Sequence, residues 1–424
     1  MKVIYVVIAL LTSLLYACAP STENTEKYSV NEPIFMDATE FRSSIAITQD
    51  VHPITSYGKI SFYKGYLFVS EPQKGIHIIN NTDAKNPQVV GYIELLGNAD
   101  IAIKDDILYA DSYIDLVWFD ISTPATPLFV GRLENVFEQA LPPLEDPSFG
   151  IDGSMVWDRP SDQVIVGWTI ATRTIKTSNS IFSGFPWWSS SDPTPIMAEK
   201  GSTGINGSMS RFSLHDDYLY SVINNNMSII NLSGAAPVKA VDNIYIGWDV
   251  ETIFYYKNNM FMGTPTGLLI YSVENPTQPV FKSSIQHVFG CDPVVVENDI
   301  AYVTIHSGNA CGQDDNELIA IDVKDVENPK QVVSYTMTKP KGLGIDNGTL
   351  FICDDGLKIY KADNPQTIMA NELAHYTNID GYDVIPFHNT LMMIASDGIY
   401  QYDYSDLNNI HQISFLPMSN EKEE

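Results

Sequence analysis

Apolar and polar positions follow one another in a form that returns along most of this chain. A short apolar run leads into Asp, Asn or Ser, and then usually into a proline that ends the turn. Leu116 to Pro127, LVWFDISTPATP, is the clearest copy. Related runs are GIHIINNTD (75–83), MSIINLSG (227–234), LLIYSVEN (268–275), LIAIDVKD (318–325), LKIYKADN (357–364) and IYQYDYSD (399–406). Six of the seven lead to a turn proline: Pro87, Pro127, Pro237, Pro279, Pro329 or Pro365. The seventh has Leu407-Asn408-Asn409 in its place. Proline has no N–H to give to a sheet ladder, so it belongs between strands. Asp, Asn and Ser favour the same turns by bonding their own backbone. A unit that recurs at about forty residues marks a repeat architecture.

Two more strands lie upstream of each run. In the second unit they read DIAIKDDILYAD: strand, tight polar turn, strand. The equivalent turns are Lys64-Gly65, Asp216-Asp217, Asn258-Asn259, Asn298-Asp299, Asn347-Gly348 and Asn389. Such turn residues between apolar runs are a strong hairpin signal. A fourth strand follows the proline, as in QVVGYIELL and PLFVGRL. The pattern predicts an all-β chain: a β-propeller of about seven four-stranded antiparallel blades, with one long insertion. Its innermost and third strands are expected to be buried on both faces. An open stack, or a ring of six or eight blades, is the alternative; a closed ring protects its sheet edges.

The two ends read differently. Residues 1–17 have the form of a signal peptide: Lys2, then the apolar VIYVVIALLTSLLYA, too short for a dedicated span. They end in Leu15-Tyr16-Ala17-Cys18, which resembles the lipobox of bacterial lipoproteins. That resemblance implies a lipidated Cys18 as the first mature residue; an ordinary signal with an incidental Cys is the alternative. Several acyl chains on one Cys give a stable membrane anchor. Residues 18–33 are polar and read as a flexible tether. Ala19, where an Asp would resemble an inner-membrane retention signal, points to outer-membrane attachment. The propeller is expected over 34–418, followed by an acidic tail at 419–424.

The repeat resembles the LVIVD repeat family of bacterial and archaeal surface proteins. LVWFDIS and LIAIDVKD match its core, and the likeness extends over residues 58–417. GKISFYKGYLFVSEPQKGIHIINNTDAKNPQ and DILYADSYIDLVWFDIS look like its first two units. The resemblance implies a propeller-like fold at the cell surface. It brings no catalytic residues with it.

Composition narrows the partners. The formal net charge of −28 argues against nucleic acid, whose phosphates need clustered Lys and Arg. Hydrophobic residues at 44% and aromatics at 11% supply a large core.

Candidate chemistry gathers where the rhythm breaks. An insertion at about 138–208 carries strand-like QVIVGWTIATRTI and then Phe182, Phe185, Trp187 and Trp188 among Ser, Gly and Pro. Those aromatics either pack on the propeller or form a binding surface for a protein or glycan. The fifth unit is extended by HSGNACGQDDNE. A disulfide between Cys291 and Cys311 is expected there, worth about 3 kcal/mol by chain entropy. Cys353 is then a buried free thiol, and a Cys291–Cys353 pair is the alternative. Asp314, Asp315 and Glu317 form a weak calcium candidate without EF-hand spacing. No HExxH and no G-x-S-x-G occurs, so neither zinc nor a serine nucleophile is supported. His77, His215 and His411 read as structural.

Aligning the hairpins places Lys59, Asp100, Arg211, Thr252, Gly342 and Asp383 at the start of the innermost strands, with Glu251 and Asp292 within a residue. That is the channel mouth. These residues either meet a ligand, chiefly through Asp100, Arg211, Asp292 and Asp383, or cap backbone and pair with one another. The expected function is a lipid-anchored envelope scaffold that presents loops to a protein or glycan, without catalysis. The alternative is an envelope hydrolase or lyase with a metal or acidic site at the channel mouth.

Overall fold

Two kinds of turn close the strands of each repeat. Between the first and second strands, Lys64-Gly65, Asp105-Asp106, Lys257-Asn258, Asn298-Asp299, Asn347-Gly348 and His388-Asn389 all take positive φ, between 46° and 79°. Two left-handed residues in succession give the two-residue turn whose twist suits antiparallel strands. In the fourth repeat this pair sits one residue earlier than expected. After the third strand, the Asn80, Asp120, Asn231, Asp322 and Asp403 side chains each accept the backbone N–H two residues on, at 2.8–3.0 Å. The residue that ends the strand therefore also starts the turn.

The computed structural model describes residues 24–177, 210–223, 225–247, 250, 252–264, 267–286, 293–306 and 316–419. They fall into two compact units. The larger comprises Phe35–Pro143, Pro160–Val166 and Glu199–Glu424, and holds seven antiparallel sheets in a propeller. Blade 1 is built from Ile60–Tyr63, Tyr66–Glu71, Gly75–Asn80 and Gln88–Glu94. Blades 2 to 7 follow at 101–133, 212–245, 252–286, 294–336, 343–376 and 381–417. Within each blade the strands pair in chain order. Ala46–Thr48 adds a fifth strand to the outer edge of blade 1.

Seven apolar clusters hold the ring, one at each junction between neighbouring blades. Phe68, Ile76 and Ile78 of blade 1 meet Leu108, Val117 and Phe119 of blade 2. Corresponding clusters join every later pair. The last lies between blade 7 and blade 1, where Met392, Ile394 and Ile399 pack on Ile60, Leu67, Val69 and Ile79. Here the buried amides of Asn81 and Gln401 exchange two hydrogen bonds, at 2.9 and 2.8 Å. Among the described residues, no blade borrows a strand from the other end of the chain to close the ring. Trp118 and Phe119, the centre of the clearest repeat, are core at 7% and 0% exposure.

Burial differs from expectation in one respect. The second and third strands are buried almost throughout, as in Tyr66–Glu71 and Asp115–Asp120. The innermost strands are only half-buried, as in Ile60–Tyr63 and Phe212–His215. The exposure collects toward the hairpin end, as in Ile101–Lys104, where Ile101 and Ala102 are buried and Ile103 and Lys104 half-buried, while neighbouring innermost strands approach one another around the axis.

The chain between Leu133 of blade 2 and Phe212 of blade 3 contains a short helix, Gly153–Trp157, and the strand Gln163–Thr177. That strand pairs with Asn24–Asp37. Residues 24–33, expected as tether, are thus strand in this structure. Val30 and Asn31 are buried, and the Asn31 amide donates to the carbonyls of Asp146 and Phe149 at 2.9 and 2.8 Å. An amide satisfied in this way fixes the backbone around it. In the same smaller unit Arg173 pairs with Glu32 and Asp152, at 2.9 and 3.3 Å. Trp187 and Trp188 lie outside the described residues, as do Cys18, Cys291, Cys311, Asp292, Asp314 and Asp315. Glu317 opens the third strand of blade 5 and is half-buried. Cys353 ends the second strand of blade 6 as a buried free thiol, 1% exposed.

Candidate functional site

Pairing in chain order gives the propeller two unlike faces. One carries the two-residue hairpins and the turns after the third strands. The other carries the links from second to third strand and the crossovers from blade to blade. Both breaks in the repeat, the insertion after blade 2 and the extension of blade 5, connect strands on this second face, the loop face. The channel mouth lies there as well, because the innermost strands begin on it.

Asp100 stands at the entry to blade 2 and is 3% exposed. Its Oδ2 accepts the backbone N–H groups of Arg211 and Phe212, at 2.5 and 3.0 Å, and the Ser210 hydroxyl at 3.1 Å. Its Oδ1 accepts the Ile101 N–H at 2.8 Å. Asp100 therefore stitches the entry of blade 2 to the entry of blade 3. Burial raises its carboxyl above the ordinary value, while Lys59 and these N–H groups pull the other way.

Two further expected positions meet between blades 6 and 7. A Cβ on Gly342 would lie 2.2 Å from Asp383 Oδ1 and 2.7 Å from the Tyr382 carbonyl, so only glycine fits against that buried carboxylate. Thr252, at the mouth of blade 4, is buried and accepts the Gly263 N–H at 3.2 Å. The structure thus joins Asp100 to Arg211 through the latter's backbone, and Gly342 to Asp383.

Four carboxylates of the loop face carry no repeat signal and were not singled out from sequence. Asp111 accepts the N–H groups of Ala99 and Asp100 at 2.7 and 2.9 Å, and burial pushes its carboxyl up to about 7. Asp115 has a fully buried side chain. It holds Arg42 at 3.0 Å, Arg132 at 2.9 Å and the Asn135 N–H at 2.8 Å. This ties the helix Ala38–Ser43 and the exit of blade 2 to one anion; Asp37 caps that helix through the N–H groups of Thr39 and Glu40. Asp354 accepts the Thr338 and Lys339 N–H groups at 3.0 and 2.6 Å. Glu71 meets His77 Nε2 at 2.6 Å and accepts the Thr55 hydroxyl. Burial alone would raise the Glu71 carboxyl, but His77 and Thr55 outweigh it and hold it below its usual value.

Asp100, Asp111 and Asp354 are thus filled by backbone N–H groups at the blade entries, while Asp115 and Glu71 are held mainly by side chains. An anion that accepts several N–H groups fixes a loop that has no ladder of its own. The arrangement makes a rigid rim on which loops of different length are mounted. Among the described residues, no group of three or more His, Cys, Asp or Glu is arranged to hold a metal ion.

No protein-family model and no curated protein sequence matches this chain. Among solved structures it is similar to the computationally designed Ika8 protein, with 10% identity, 87% of this chain and 89% of the other covered, and a TM-score of 0.48. It is also similar to Hsv2p of Kluyveromyces lactis, with 11% identity, 85% and 97% covered, and a TM-score of 0.46.

Proposed function

We propose that this protein is a non-enzymatic binding scaffold of the cell envelope, held to a membrane by lipid on Cys18. The loop face of its propeller meets a protein or glycan partner. One observation carries this reading: both departures from the forty-residue rhythm connect strands on one face, while the turns of the other face keep their chemistry from blade to blade. Variable loops on a rigid body are the usual arrangement for recognition. The lipobox-like Leu15-Tyr16-Ala17-Cys18 supports the anchor. The buried carboxylates of Asp100, Asp111 and Asp354 support a structural use of the rim, because backbone N–H groups of the crossovers take up their oxygens.

One set of strains tests both parts. Cys18→Ser is expected to move the protein from the membrane fraction to the soluble envelope fraction with its fold unchanged. Deletion of 138–208 is expected to leave membrane attachment intact and remove envelope proteins or glycans that co-purify with the parent. Membrane retention of Cys18→Ser would sink the anchor, and an unchanged partner set would sink the insertion as the contact surface.

A further inference from the structure

A second place on the loop face has the form of a small-molecule site, and it is independent of the insertion. Three segments around blade 6 enclose a cleft of about 540 Å³. They are the crossover into the blade (Thr338, Lys339, Lys341), the link between its second and third strands (Cys353 to Gly356) and the crossover out of it (Thr377 to Gly381). Sites for small ligands have volumes of roughly 300–1,000 Å³.

The walls of this cleft are held in advance. Asp354 fastens the second segment to the first by accepting the Thr338 and Lys339 N–H groups, and its Oδ2 takes Lys358 Nζ at 2.6 Å. Lys341 N–H donates to the Cys353 carbonyl at 2.8 Å. The Lys341 ammonium reaches Asp380 Oδ1 at 2.6 Å and sits 4.0 Å over the Tyr382 ring, which fastens the first segment to the third. Two cations and two anions are therefore used against each other in building the walls.

What remains is one charge of each sign, on different segments. Lys339 is exposed, and no carboxylate lies within ion-pair distance of it among the described residues. Asp355 has a side chain 60% exposed, with His375 Nε2 at 3.9 Å. Opposite the lysines, His306 of blade 5 registers the positive wall: burial, then Lys339 and Lys341, hold its imidazole below the ordinary value. Hydroxyls of Thr338 and Thr377 and the Asn378 amide supply neutral donors and acceptors between the charges. The described lining is polar and aliphatic, without an aromatic ring.

We propose that this cleft binds a small zwitterion, an amino acid or a short unblocked peptide, with its carboxylate at Lys339 and its ammonium at Asp355. A cleft with one charge of each sign left over favours a ligand that carries the opposite pair over one that lacks either end.

Calorimetric titration of the purified protein with the common amino acids and a set of Xaa-Ala dipeptides tests this. At least one is expected to bind. Its N-acetylated form and its C-terminal amide are each expected to bind about tenfold or more weakly. Lys339→Gln should erase the preference for a free carboxylate and Asp355→Asn the preference for a free amine, with the urea unfolding midpoint of both unchanged. The idea is overturned by absence of binding up to about 10 mM, a concentration that would reveal even weak affinity. Equal binding of blocked and free forms would overturn it too, as would binding that neither substitution alters. Capture of simple monosaccharides in place of zwitterions would also overturn it.

Discussion

The two faces of the propeller are built by different physics. On the turn face each blade solves its own connections. Paired left-handed residues close the first hairpin, and the Asp or Asn that ends the third strand folds back on the N–H two residues later. Contacts between blades there join one hairpin turn to the next: Tyr63 and Lys64 meet Asp106, Tyr256 and Lys257 meet Asp299, and Glu297 accepts the Gly348 N–H. On the loop face most links from second to third strand are short, but the crossovers from blade to blade are longer and unlike one another. Buried carboxylates hold them across the sequence, as Asp100 does for Arg211 and Asp115 for Arg42 and Arg132. The lesson is that one face is specified residue by residue, the other by a few long-range anions. A face of the second kind can change its loops without changing its blades.

The largest effect that bears on this contrast is expected at Asp115. Asp115→Ala leaves Arg132, nearly buried, without its anion and releases Arg42 and the Asn135 N–H. Loss of one partner from such a buried pair costs about 3–5 kcal/mol. Urea unfolding measures it, and a loss below that of a turn substitution would invert the comparison.

Asp111 should show itself through pH. Its folded carboxyl titrates near 7, against about 3.9 in an unfolded chain. From about pH 4 to about pH 7 the folded chain keeps a proton that the unfolded chain has lost, so this group's contribution to stability falls as pH rises through that window. Asp111→Asn keeps an oxygen for the Ala99 and Asp100 N–H groups but cannot ionise. The variant is expected to gain on the parent between pH 4 and 7, by the order of 2–3 kcal/mol. Parallel stability curves for the two proteins would show that Asp111 does not titrate in this range.

The turn face should answer with smaller, local losses. Gly348 sits at φ +74° beside Asn347. Gly348→Val forces a β-branched residue into that region, at about 1–3 kcal/mol. Asn389→Gly, at the same place in blade 7, should be close to neutral in the same urea measurement.

What could be read from the chain follows the same division. Blade number, strand order and turn positions were legible, because each is written within a few neighbouring residues and repeated. The one displaced turn, Lys257-Asn258, escaped because strand register sets it and lysine is no marker of left-handed backbone. The half-exposure of the innermost strands was misread, since LGID or IAIK gives no sign that its hairpin end is less covered than its start. Residues 24–33 were read as tether because the partner strand of Asn24–Asp37 lies far along the chain. At the channel mouth, alignment found Asp100 and Asp383. It passed over Asp111, Asp115, Asp354 and Glu71, because their partners follow no period and two of them, Arg42 and Thr55, precede the first blade altogether.

The seam between blade 7 and blade 1 has a consequence for how the molecule is made. Among the described residues every blade is complete within one stretch of chain, and none waits for a strand from the far end. A chain that is threaded out from its N-terminus finishes one blade before the next begins, and each new blade has a finished neighbour to settle against. The Asn81–Gln401 amide exchange, the bonds from Tyr57 to Leu416 and from Ser419 to Ile54, and the surrounding apolar contacts wait for the last blade. Assembly is thus a spiral that grows in the order of synthesis and becomes a circle in a single final step.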